Sequence, residues 1–175
     1  MPDNVISFSY NDDFDLIRSS NSTATSFASK IPTTTEPTGD GVYDCHPGGV
    51  AQDAVLNYAM FVPFGRDTPG LTFDMRIFGW SLVAGSSTDV YIPIRLVQCS
   101  CTLGSATGVD GSNLEDEELI CDTIASVTGS NLRTVVSPAD NTIAHMIVDV
   151  TGFCKVEAIF DRTGATQANC LIRGF

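Results

Sequence analysis

Residues Phe153 to Phe160 alternate without a break. Cys154, Val156, Ala158 and Phe160 fall on one side, and Lys155, Glu157 and Asp161 on the other. That is the period of two of a strand with one dry and one wet face, and no helical period competes with it. The run Thr142 to Val150 precedes it across Thr151-Gly152, a pair whose turn chemistry predicts a hairpin. After Arg162-Thr163-Gly164 the chain returns as Gln167 to Arg173, with Ala168, Cys170 and Ile172 on one face. Three successive strands therefore close the chain.

The same reading finds strands over Ala54 to Val62, ending at Pro63, and over Leu71 to Val83, where Gly79 marks a change of phase and a bulge. Further strands are Leu119 to Ser126 and Leu132 to Val136. Asp89 to Leu103 is apolar on both faces, which predicts either a central strand or one covered by another subunit; Pro93, lacking a donor, argues for an edge or a bulge there. Eight short strands with turn residues between them, and no amphipathic helix, predict an all-β fold: a jelly-roll-like antiparallel β-sandwich over residues 51–175. Residues 1–50 read as an extended N-terminal arm. They hold one short strand candidate, Val5 to Tyr10, then a Ser-, Thr- and Pro-rich run with Phe27 and Ile31 as isolated apolar anchors. An isolated strand does not persist in water, so Asn4 to Ser9 is expected to pair with a neighbouring chain or a sheet edge.

Charge narrows the partners. Twenty-one acidic residues against nine basic ones give −12, and the basic residues are scattered singly, which disfavours nucleic acid and anionic membranes. Charged residues are only 17% of the chain, fewer than a free monomer normally carries, which points to surface hidden in an assembly. No run is long enough to span a membrane, and the N-terminus lacks the pattern of an export signal, so the expectation is a chain made in the cytoplasm. In that setting Cys45, Cys99, Cys101, Cys121, Cys154 and Cys170 read as small buried hydrophobes with free thiols.

Chemistry is sparse. His145 and Asp149 share a strand face and could orient an imidazole, but no nucleophile accompanies them, and His46 sits in a turn. Cys99 and Cys101 offer two thiolates without the paired spacing of a zinc site. Asp12, Asp13 and Asp15, and the carboxylates from Asp110 to Glu118, do not follow the spaced calcium-loop pattern and read as solvated loops. The expectation is no catalytic residue, no cofactor, no metal and no enzyme.

The stretches SPADNTIAHMIVDVTGFCKVEAIFD and ATQANCLIRGF, with DVYIPIRLVQCSCTLGSATG before them, resemble small structural proteins of tailed bacteriophages. The resemblance covers about half the chain and carries no catalytic motif. It implies a virion component: a capsid decoration or cement protein on the outer head surface. Its partners would be the major capsid protein and other copies of itself, with a trimer the expected homo-oligomer. Two alternatives use the same fold: a carbohydrate-binding or host-adhesion module, and a phage neck or tail component. The strand carrying Val90 to Leu96 is the expected self-association surface.

Overall fold

The computed structural model describes residues 34–38, 42–45, 56–83, 89–107, 117–137, 143–161 and 167–174. Among them the regular elements are strands: β1 (Val42–Asp44), β2 (Tyr58–Arg66), β3 (Thr72–Val83), β4 (Val90–Thr107), β5 (Leu119–Thr128), β6 (Leu132–Val136), β7 (His145–Asp149), β8 (Lys155–Asp161) and β9 (Gln167–Gly174). All pairings are antiparallel and join one sheet in the order β1-β8-β3-β4-β5-β2-β7-β6, with β9 on β2. β2 takes β9 along one edge from Ala59 to Arg66. Along its other edge it takes β7 at Tyr58 to Phe61, then β5 at Phe64 and Gly65.

The layering arises within this one sheet. Phe61 of β2, Met146 of β7 and Cys170 of β9 join the same buried cluster as Phe73 of β3, Leu103 of β4 and Phe160 of β8, so the sheet folds over and its two ends share a core. The alternation read in β8 holds on the core side: Val156, Ala158 and Phe160 are fully buried, as are Ala168, Cys170 and Ile172 of β9. Phe73 and Phe160 meet edge to face at 5.7 Å between ring centroids, a favoured geometry that locks β3 to β8 from the inside.

Several local expectations differ. Thr151-Gly152 does turn, with Gly152 at φ 84° and Phe153 N donating to Val150 O, but β7 and β8 do not pair. Asp149 Oδ1 accepts from Thr151 N at 2.9 Å, and Cys154 N then donates to Trp80 O. The corner thus delivers the chain to β3, where a hairpin would have returned it to β7. Likewise β9 pairs with β2 and not with β8. Pro63 lies inside β2, where the expected strand stops. It falls between the last β7 pair at Phe61 and the first β5 pair at Phe64, so no ladder on that edge needs its missing N–H. The phase change of β3 lies between Ile77 and Phe78, two residues before Gly79, and Gly79 is small for another reason: a Cβ there would stand 2.7 Å from the Phe153 ring. Val42–Asp44 falls within the fifty residues read as arm, yet it is a strand of the sheet, and Cys45 belongs to the core. The Val5 to Tyr10 strand and the Asn4 to Ser9 pairing lie outside the described residues.

The turn after β5 fixes where β4 loses its second neighbour. β5 pairs with β4 from Thr107↔Leu119 to Gln98↔Thr128, and then Gly129, at φ 144°, presses on the β4 backbone. A Cβ on Gly129 would lie 2.1 Å from Leu96 O, whereas one on Gly70 (φ 88°) would meet nothing within 4 Å. Gly129→Ala therefore combines backbone strain with a collision against the core strand and should cost about 3 kcal/mol; Gly70→Ala, which has strain alone, should cost about 1 kcal/mol. Urea unfolding of the two variants checks this, and equal losses would contradict the packing assigned to Gly129.

Candidate functional site

The β3–β4 ribbon extends past the core. Its twelve-residue β3 strand is paired from Thr72↔Thr102 to Val83↔Val90, but the core ends where Phe153 covers Gly79 and Leu96. Gly79 faces the core, so its partner Ile94, then Ile92 opposite Ser81, then Val90 opposite Val83, continue that same side. Among the described residues none is packed over them in the core cluster. Ile94 is 44% exposed, Ile92 43%, Val90 42% and Val83 51%; with Tyr58 they are the exposed large hydrophobics among the described residues. Four apolar side chains in one continuous strip, uncharged on both strands, form the kind of patch that marks an interface.

The opposite side of the ribbon carries a strap. Residues 34–38 cross from β4 to β8: Tyr91 N donates to Thr34 O at 3.1 Å, and Lys155 Nζ donates to Glu36 Oε1 at 2.8 Å and Pro37 O at 3.3 Å. The row Pro93–Trp80–Lys155 lies beneath, and Trp80 is 2% exposed. The bond and charge of Lys155 lower the pKa of Glu36. Burial works against the Lys155 charge, but the Glu36 bond and the nearby Glu36 and Asp44 carboxylates outweigh it and raise its pKa.

The strap also closes an edge. From Val90 to Val97 β4 pairs, among the described strands, with β3 alone, since its β5 pairing starts at Gln98. Tyr91 N–H points away from β3 to Thr34, so Pro93, two residues on, presents the same edge and has no donor. One donor is occupied and the next is absent, which leaves a poor template for a further strand. The ribbon offers a face and withholds its edge.

The residues weighed for chemistry do not converge. His145 Nδ1 lies 2.8 Å from Ile143 O, while the Asp149 carboxylate binds Thr151 N and Arg133, so the two form no dyad. His46, Asp12, Asp13, Asp15 and the acidic run up to Asp116 lie outside the described residues. Glu118 departs from the solvated-loop reading: it is fully buried, with Arg66 Nε 3.9 Å from its Oε1. All six cysteines are buried free thiols. Cys99 and Cys101 approach to 3.8 Å; the Cys101 contact and burial hold the Cys99 thiol well above the ordinary range, and a bond to Cys121 with burial does the same for Cys101 against the lowering effect of Cys99. Burial pushes Cys45 up to about 12. Among the described residues no three His, Cys, Asp or Glu side chains form a group able to hold a metal ion. A recess beside Phe73, lined by Thr72, Asp74 and Asp161, holds about 170 Å³, below the size of ordinary ligand pockets.

What sequence reasoning missed is a buried amide on β9. Asn169, opposite Phe64, is fully buried and neither amide atom has a hydrogen-bond partner. No pattern signals it, because Asn169 sits in a strand at a position the alternation assigns to solvent. No family model, curated protein or solved structure matches the chain.

Two outcomes follow. The native thiols, all buried, should resist a disulfide reagent at pH 8 and react only as fast as the chain unfolds; prompt labelling of any cysteine in the folded protein would contradict this. The clasp should be pH-limited at both ends. Glu36, with its pKa lowered on folding, contributes above the ordinary glutamate range, and that contribution is lost as pH falls through its folded value. Lys155, with its pKa raised, contributes below the ordinary lysine range and loses that contribution as pH rises through its folded value. Hydrogen exchange at the Tyr91 amide should therefore be most protected between these limits, and Lys155→Met should remove the pH dependence while leaving core amides protected.

Proposed function

We propose that this chain is a structural virion protein, a capsid decoration or cement protein that binds the outer surface of a tailed-phage head as a homo-oligomer. The observation that carries the reading is the uncovered apolar face of the β3–β4 ribbon beside a strapped-down N-terminal segment. A cement protein has to present dry surface to neighbours from a body that does not deform. Here the body is a sheet closed on its own core, and the dry surface stands outside that core. The buried, protonated thiols and the separated His145 and Asp149 supply no nucleophile with a base and an orienting group, which favours binding over turnover. A carbohydrate-binding module would need exposed aromatic platforms; among the described residues Tyr58 is the exposed aromatic.

The major capsid protein is the proposed partner, with the outer capsid surface as the place of action. Purified protein added to heads that lack it should bind saturably, in fixed ratio to the capsid subunit, and should raise the temperature at which the heads rupture. Co-sedimentation and a thermal release assay measure both. Heads that neither retain the protein nor gain resistance would sink the reading.

A further inference from the structure

We propose that the face made by Val83, Val90, Ile92 and Ile94 is the seat for residues 27–31 of a second copy of this chain, with Phe27 and Ile31 as the side chains that fill it. The inference rests on the self-association in the reading above and names the segment responsible for it.

The first argument is where the described chain begins and which way it heads. β1 lies outside β8, Glu36 and Pro37 meet Lys155 of β8, and Thr34 meets Tyr91 of β4. Followed backwards, the chain crosses β8, β3 and β4 in turn and reaches the free edge of the ribbon with thirty-three residues still preceding it. Thr34 stands at that edge, and the apolar face lies on the side of the ribbon opposite the strap, so a neighbouring copy is the natural recipient.

The second argument is spacing. Ile94 to Val90 is four residues of strand, about 13 Å. Phe27 and Ile31 are also four residues apart, so in an extended segment they share a side and span about the same 13 Å. Ser29 falls between them on that side, small enough to leave room for Ile92. Ala28 and Lys30 turn the other way, which keeps the one charge of the segment in water.

The third argument is what the ribbon refuses. With Tyr91 N–H bonded to Thr34 and no N–H on Pro93, a partner strand gains little by pairing at the edge. Side chains seated on the face need no backbone donors. Each copy then gives a segment from one side of its ribbon and receives one on the other, a head-to-tail contact that closes into a ring when the rotation allows.

The test uses the full-length chain. In the double variant Ile31→Cys with Ile92→Cys, mild oxidation should link chains to one another, reversibly with reductant, while neither single-cysteine variant links. Phe27→Asp with Ile31→Asp, and separately Ile92→Asp, should each weaken association about a hundredfold or more and sediment as monomer at about 10 µM, with unchanged circular dichroism. A link formed within one chain, no link at all, or association indifferent to these substitutions would overturn the proposal. Its fate is separable from that of the capsid reading. Linked oligomers that ignore phage heads would sink that reading alone, and an oligomer that decorates heads but neither cross-links at these positions nor responds to these substitutions would sink this one alone.

Discussion

The long antiparallel ladder between β3 and β4 is the constraint on which the rest of the molecule depends. Its lower half supplies Phe73, Met75, Ile77, Cys99, Cys101 and Leu103 to the core, and it holds β8 on one flank and β5 on the other. Its upper half has lost both the opposing layer and the β5 neighbour. One set of hydrogen bonds therefore serves two ends: stability is generated where the ladder is packed, and rigidity is transmitted to where it is not. An isolated two-stranded ribbon is at best marginal in water. This one stays formed because its register is fixed by the buried half.

Two different devices finish the unpacked half. On one side residues 34–38 run from Tyr91 to Lys155 and are fastened by an ion pair and two backbone carbonyls. On the other, apolar side chains stand in water. Burying a Val or Ile side chain contributes about 1.5–3 kcal/mol, so leaving four of them partly uncovered forgoes stabilisation that the fold could have taken. The core itself shows no such restraint, since even its polar atoms are chosen to be soft: four thiols, Cys99, Cys101, Cys121 and Cys170, pack among the aliphatics and mostly satisfy one another.

The strands were readable where one face is dry and the other is not. Cys154 to Phe160 and Gln167 to Arg173 needed only their alternation, and the all-β class followed. Partners were not readable. Thr151-Gly152 has the chemistry of a tight turn, but whether a turn returns a strand to its neighbour or passes it to the opposite layer depends on what Phe153 can cover, and that is set by Gly79, far away in sequence. Pro63 looked like a stop because a single-strand reading cannot see that two different partners divide one edge. The apolar face was visible as two-sided hydrophobicity in Val90 to Leu96, a signal that a central strand and a covered one share. The burial of Glu157 and Asn169 had no local signal, since each stands where its strand's period assigns water, and that of Glu118 was hidden in an acidic run that reads as solvated loop.

Pro93 and the Thr34–Tyr91 bond have a consequence for how this ribbon meets other chains. A protein whose described elements are all β-strands, with an exposed hydrophobic ribbon, is a candidate for runaway fibre growth. Growth of that kind propagates through successive main-chain bonds from one molecule to the next. By spoiling two successive donors on that rim, the ribbon makes its stickiness finite there: it can be gripped by side chains and released again, but its edge is a poor start for an endless ladder.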